Sequence, residues 1–215
     1  MAVVLFYTPL LERLNIAYLA MGLVLCLLGV VLLMLSAIRY CIALNTVSVA
    51  IYGDIMIALY EASTDYHSST KPDIRRRLRV VDHASIYVLI SGTYTPFMLI
   101  TLKGAIGWTL FAITWGMALT GITLKLFFTG RFNLLSTLMY VFMGWLIIFA
   151  IKPMIAAMPP GGMIWLVAGG LAYTFGALLY AIKSIPYNHA IFHLFVLAGS
   201  ICHFIAVYEY VLPRN

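Results

Sequence analysis

The chain has 215 residues, of which 64% are hydrophobic and 9% charged, whereas a soluble globular domain carries about a quarter of its residues as Asp, Glu, Lys or Arg. That balance excludes an ordinary soluble domain and points to the membrane as solvent. Thirteen basic residues against seven acidic ones leave a net charge of +6, but the basic residues fall between apolar runs rather than along one face or arm, so nucleic acid is not an expected partner.

A helix needs about 20 mainly apolar residues to cross the hydrocarbon layer. Seven stretches approach that length: Leu14 to Ile38, Asn45 to Tyr66, Val80 to Leu102, Ala105 to Leu126, Leu134 to Lys152, Gly161 to Ile182 and His189 to Leu212. They predict an all-α integral membrane protein, with residues 1–215 forming a single seven-helix domain. The breaks between them, at Arg39 to Leu44, Ser68 to Arg79, Lys103-Gly104, Phe128 to Asn133, Pro153 to Pro160 and Lys183 to Asn188, hold the charges, prolines and glycines that end helices. Without the short Lys103-Gly104 break the count would be six. The opening MAVVLFYTPLLERL has no basic stretch, and the apolar run after Leu14 is too long for a signal-peptide core, so the first helix is expected to be retained. Cysteines 26, 41 and 202 are too scattered to suggest a disulfide framework or a thiolate metal site.

Seven spans place the N-terminus on the side that carries Arg13, Lys71, Arg75, Arg76, Arg77, Arg79, Lys125, Arg131 and Lys183. The opposite side has Arg39, Lys103, Lys152 and Arg214. The positive-inside bias then predicts a cytoplasmic N-terminus and a C-terminus outside, in a multi-pass protein of the cell inner (plasma) membrane.

The five histidines, at 67, 83, 189, 193 and 203, lie in or at the ends of apolar segments, where ionisable side chains are expensive and hence candidates for function. His189 and His193 are four apart, so they share one helical face and can bind a single ion through two imidazoles. From spacing alone, a pair of hydrogen-bonded core histidines reads equally well. Topology adds to the pair: helix 2 ends inside at His67, helix 3 begins inside with Asp82 in its first turn, and helix 7 begins inside at His189. Three histidines and a carboxylate therefore meet at one membrane depth. Three protein nitrogens plus a water is the pattern of a catalytic zinc site, whereas structural zinc usually takes four protein ligands. Asp82 is either a fourth ligand or, as preferred here, a residue that holds the water or orients an imidazole. Ser63 lies one turn deeper on the His67 face. His83 points about 100° away from Asp82 and reads as a packing or gating residue. His203 is about 15 Å deeper than His193 and is expected to make a hydrogen bond inside the bundle.

Asp54, Glu61 and Asp65 fall on one stripe of helix 2. The stripe either lines a wet cavity or meets a neighbouring subunit, or Glu61 and Asp65 pair with the basic residues Arg75 to Arg79. Pro96, within Gly92-Thr93-Tyr94-Thr95-Pro96, should distort helix 3, with nearby hydroxyls satisfying the freed carbonyls. Trp108, Trp115, Trp145 and Trp165 read as interfacial anchors and packing residues.

These segments resemble the hemolysin III family, the bacterial branch of the progestin and adiponectin receptor superfamily. The resemblance is carried by Ala62-Ser63-Thr64 with Tyr66-His67, Asp82-His83-Ala84-Ser85-Ile86-Tyr87, Gly92 to Phe97, Met143-Gly144-Trp145, Ile185 to His193 and Cys202-His203-Phe204. It implies a seven-helix fold and a zinc ion held near the cytoplasmic side by His67, His189 and His193. It also associates Asp82 with the zinc-bound water and puts Ser63 close by. Glu12, Asn15 and Gly22 fit the helix 1 pattern, but Leu19 stands where that pattern has a histidine. The wider superfamily includes alkaline ceramidases, which hydrolyse a lipid amide.

Two classes of function follow. One is a zinc-dependent hydrolase of lipid amide or ester bonds, with a lipid or acyl chain as ligand and a part in membrane lipid or energy homeostasis. The other is a sensor, transporter or membrane-permeabilising cytolytic protein in which zinc is structural.

Overall fold

The computed structural model describes residues 7–39, 42–128, 133–182 and 184–212; Cys41, Arg131, Lys183 and Arg214 lie outside them. Among the described residues, seven helices are long and apolar enough to cross a membrane: α1 (Pro9–Arg39), α2 (Ala43–Ser68), α3 (Pro72–Leu102), α4 (Gly104–Phe127), α5 (Leu134–Ala157), α6 (Pro160–Ala181) and α7 (Asn188–Val211). The described residues contain no strand. The all-helical, seven-span fold expected from hydropathy is thus the fold observed.

Apolar side chains cover the outside as well as the core, as hydrocarbon solvent allows. Leu28 and Leu35 of α1, Leu119 and Phe127 of α4 and Phe149 of α5 are all exposed. With little hydrophobic force between helices in lipid, close approach at small residues does much of the packing. α1 turns Asn15, Leu19, Gly22, Cys26, Gly29 and Leu33 inward. A Cβ at Gly22 would stand 2.3 Å from the Tyr60 ring of α2, and one at Gly29 would stand 3.0 Å from Phe204 of α7. This seam seats α1 against both α2 and α7. α3 contacts α2, α4 and α5, and every residue from 91 to 100 is buried. α7 packs on α6 and α1 and closes the ring.

Two helices begin five or more residues earlier than hydropathy suggests, and both differences build the site. α1 starts at Pro9 rather than Leu14, which places Glu12 in its first turn. α3 starts at Pro72 rather than Val80, with proline at the helix start, where a missing N–H removes no intrahelical bond. The basic run from Arg75 to Arg79 is therefore helical.

Three further features settle the remaining boundaries. After Pro96 the backbone of α3 widens into a π-helical turn over Phe97–Leu102. Nearby, the Thr95 hydroxyl donates to the Ser91 carbonyl (2.9 Å), and the Ser91 hydroxyl donates to the Thr114 carbonyl of α4 (2.9 Å). Lys103 and Gly104 both have positive φ, 53° and 55°, so the chain reverses there and α3 and α4 are separate spans. α5 breaks at Trp145, passes through a 3₁₀ segment and restarts as Ile151–Ala157. The restart puts Pro153 in the first turn of a new helical segment, where its missing N–H is harmless. α5 therefore runs on past Lys152.

Candidate metal centre

α2 ends and α7 begins at the same end of the bundle, and three histidines meet there. The Nε2 atoms of His67 and His189 are 3.0 Å apart, those of His67 and His193 3.2 Å, and those of His189 and His193 3.0 Å. All three side chains are buried. One imidazole nitrogen from each lies within 4.8 Å of the other two, so the group could hold a metal ion. Three ligands at 2.0–2.1 Å around a tetrahedral zinc would stand about 3.3 Å apart, close to the observed spacing. Three neutral imidazoles have too few protons to satisfy three converging lone pairs, whereas one cation satisfies them all. The donor set therefore fits zinc.

The rings are held from behind. The Nδ1 of His67 donates to the Glu12 carboxylate at 2.7 Å, which fixes the proton on Nδ1 and leaves Nε2 free to coordinate. The Asn15 amide lies 3.3 Å from the same nitrogen. The other oxygen of Glu12 accepts from Arg75. Arg75 is only 1% exposed and also donates to the carbonyls of Tyr66 (3.0 Å), His67 (3.3 Å) and Ser69 (3.0 Å). The first two are carbonyls of the last turn of α2, which lack partners within the helix, and the third belongs to the residue just after it. Arg75 thus caps the helix that presents His67 and ties it to α1. At α7, the Asn188 amide donates to the Tyr180 and Ile182 carbonyls (3.0 and 3.3 Å), fixing the turn just before His189. The Tyr7 ring stacks on His189 at 4.8 Å.

Nothing in the sequence assigns Glu12, Asn15 or Arg75 to the support of His67. The resemblance marks the first two as fitting a pattern without saying why, and Arg75 reads only as one charge of a basic loop.

Asp82 and Ser63 are buried, and both line a cavity of about 200 Å³ that also reaches His189 and His193. Asp82 is not among the three converging ligands. Its Oδ2 is 3.5 Å from Nδ1 of His83, which in turn donates to the Arg79 carbonyl at 2.9 Å. Away from this end the cavity wall is mainly apolar, with Leu59, Ile86, Ile90, Phe97, Ile147, Met163 and Leu166 among its residues. Lys125 of α4, also buried, contributes a cation to the wall. Leu19 lines the cavity too, so the position where the family pattern has a histidine is apolar here.

Other ionisable residues lie apart from the ligand group. His83 is outside it, and His203 donates from Nε2 to the Leu166 carbonyl at 3.0 Å. Asp54, Glu61 and Asp65 are exposed on α2, and none lines the cavity. This overturns the wet-cavity reading of that stripe: the inward face of α2 is taken by Tyr52, Met56, Leu59, Tyr60 and Ser63. Arg75 and Arg76 pair with Glu12 and Asp73 rather than with Glu61 or Asp65.

The family described as Haemolysin-III related matches residues 7–204. The chain is 46% identical to Hemolysin-3 of Bacillus cereus over 192 residues, 89% of this chain and 88% of the relative. It is 46% identical over 189 residues to the Hemolysin-3 homolog of Bacillus subtilis (strain 168), covering 88% of this chain and 89% of that protein. It is 27% identical over 170 residues to the human monocyte to macrophage differentiation factor, 75% of this chain and 69% of that protein.

Proposed function

Starting from the fact that this chain belongs to the Haemolysin-III related family, we propose that it is a zinc-dependent hydrolase of lipid amide or ester bonds in the plasma membrane, with its metal end facing the cytoplasm. The observation that carries the reading is the convergence of three buried imidazole nitrogens at 3.0–3.2 Å, two of them from His189 and His193, which line a cavity whose wall is otherwise mostly apolar. A purely structural site would usually take a fourth protein ligand, and Asp82 stands outside the ligand group.

His67, His189 and His193 would hold the ion. When bound, zinc supplies a Lewis acid that polarises a carbonyl and acidifies water to a pKa of about 7. The chain's own residues do the rest. Glu12 keeps the His67 proton on Nδ1, so that Nε2 is the nitrogen that would face the ion. The apolar wall takes the acyl chain and brings its amide or ester carbonyl to the metal end, converting an encounter into a positioned reaction. The Asp82 carboxylate accepts a proton from the attacking water. The new C–O bond forms as the C–N or C–O bond to the leaving group breaks, and Asp82 returns the proton to the departing amine or alcohol. Ser63, on the same wall, offers a hydroxyl to the polar head.

Asp82→Asn separates this role from metal binding. Zinc content is expected to stay stoichiometric while turnover of a long-chain acyl amide falls about 10²–10⁴-fold, the usual contribution of a positioned proton-transfer group. Unchanged turnover would remove Asp82 from the chemistry. Loss of zinc would make it a ligand instead.

A further inference from the structure

The cavity holds a second polar level, far from the three converging histidines, that hydrolysis leaves unused. Thr93 of α3 and His203 of α7 both line the cavity and are 6% and 7% exposed. Thr93 lies eleven residues beyond Asp82 and His203 ten beyond His193, so at 1.5 Å per residue each is about 15 Å deeper than its counterpart at the metal end. Both belong to the same level of the cavity wall. Thr93 and Phe97 are four residues apart on one side of α3, and the Phe97 ring meets the His203 ring at 6.0 Å between centroids.

Both groups have hydrogen-bonding capacity to spare. His203 donates from Nε2 to the Leu166 carbonyl, which leaves Nδ1 as a bare acceptor. Neither His203 Nδ1 nor Thr93 Oγ1 has a hydrogen-bond partner among the described residues, and buried polar atoms without partners are rare in folded proteins. The ring is also held close. A Cβ at Gly169 would come within 2.2 Å of it, so the absence of a side chain there lets His203 sit against α6.

An acceptor nitrogen and a threonine hydroxyl together complement an alcohol, whose O–H donates to Nδ1 while its oxygen accepts from Oγ1. We propose that Thr93 and His203 form a specificity subsite for a hydroxyl group carried near the middle of the lipid chain that occupies this cavity. The proposal rests on the reading of the cavity as a lipid site. It adds a substrate class: chains hydroxylated about 15 Å from the carbonyl that reaches the metal end.

The test compares two probes on the zinc-loaded protein in lipid nanodiscs, an octadecanoyl amide and the same amide bearing a mid-chain hydroxyl. The hydroxylated chain is expected to bind about tenfold more tightly, the equivalent of one net buried hydrogen bond. Thr93→Val, nearly the same shape, is expected to abolish that preference while leaving zinc content unchanged. Thr93→Ser is expected to restore it. Equal binding of the two chains to the wild type, or a preference that survives Thr93→Val, overturns the subsite alone. Failure of either chain to bind overturns the subsite together with the lipid-site reading.

Discussion

Replacing His193 by alanine is expected to lower zinc affinity by more than about 100-fold while leaving the helical content intact. Losing a residue that only orients a metal ligand costs about 10–100-fold in affinity, and losing one of three ligands must cost more. The helices should survive because His193 is one of several buried contacts between α7 and its neighbours, and α7 also keeps Val196, Leu197, Ser200 and Val207 in the core. Metal analysis of purified protein, alongside its circular dichroism, checks both halves. Stoichiometric zinc retained by His193→Ala would mean that the ion is held elsewhere.

Glu12→Ala is expected to show the second largest effect, and on two quantities at once. The substitution removes the carboxylate shared by Arg75 and His67. Arg75 then keeps its charge in a buried setting, 1% exposed, with carbonyl oxygens but without that counter-ion. Breaking a buried pair by deleting one partner costs about 3–5 kcal/mol. The 15% side-chain exposure of Glu12 places this case near the lower end, at about 3 kcal/mol. Zinc affinity should fall about 10–100-fold as well, because the proton on His67 Nδ1 loses its acceptor. Glu12→Gln separates the two effects: its amide oxygen still accepts from His67, but its charge is gone, so zinc affinity should recover more than stability does. Thermal unfolding and zinc titration in detergent read the two directly. A Glu12→Ala protein with unchanged melting temperature and zinc affinity would leave the buried triad without a function.

What the sequence made legible, and what it hid, follows from the range of each interaction. The seven spans are local properties of hydropathy. The His189 and His193 pair is equally local, set by one turn of helix. His67 joins them through topology alone, because an odd number of reversals separates the end of α2 from the start of α7. The support behind His67 was hidden for a different reason. Glu12 and His67 are 55 residues apart, and Glu12 and Arg75 are 63 apart, so nothing in a local pattern joins them. In a hydropathy window Glu12 and Arg75 look like charges that flank spans, which is why α1 and α3 were expected to begin later than they do. Pro72 was the available signal, since a proline that opens a helix fits the first turn. The stripe of Asp54, Glu61 and Asp65 failed in the opposite way. Its period was real, but periodicity says only that residues share a face, and this face is the exposed one.

Leu19 gives the sequence reading a sharper use. The departure from the family pattern falls on the cavity wall rather than among the ligands, and all three converging histidines are present. The difference therefore falls on the cavity wall and leaves the three converging histidines in place.

The most direct test of the account is turnover of a long-chain acyl amide by the purified protein before and after removal of its metal. The expected result is measurable hydrolysis that disappears on chelation and returns on adding one equivalent of zinc. A folded protein with one zinc bound and no hydrolysis, or hydrolysis that chelation leaves unchanged, would contradict it.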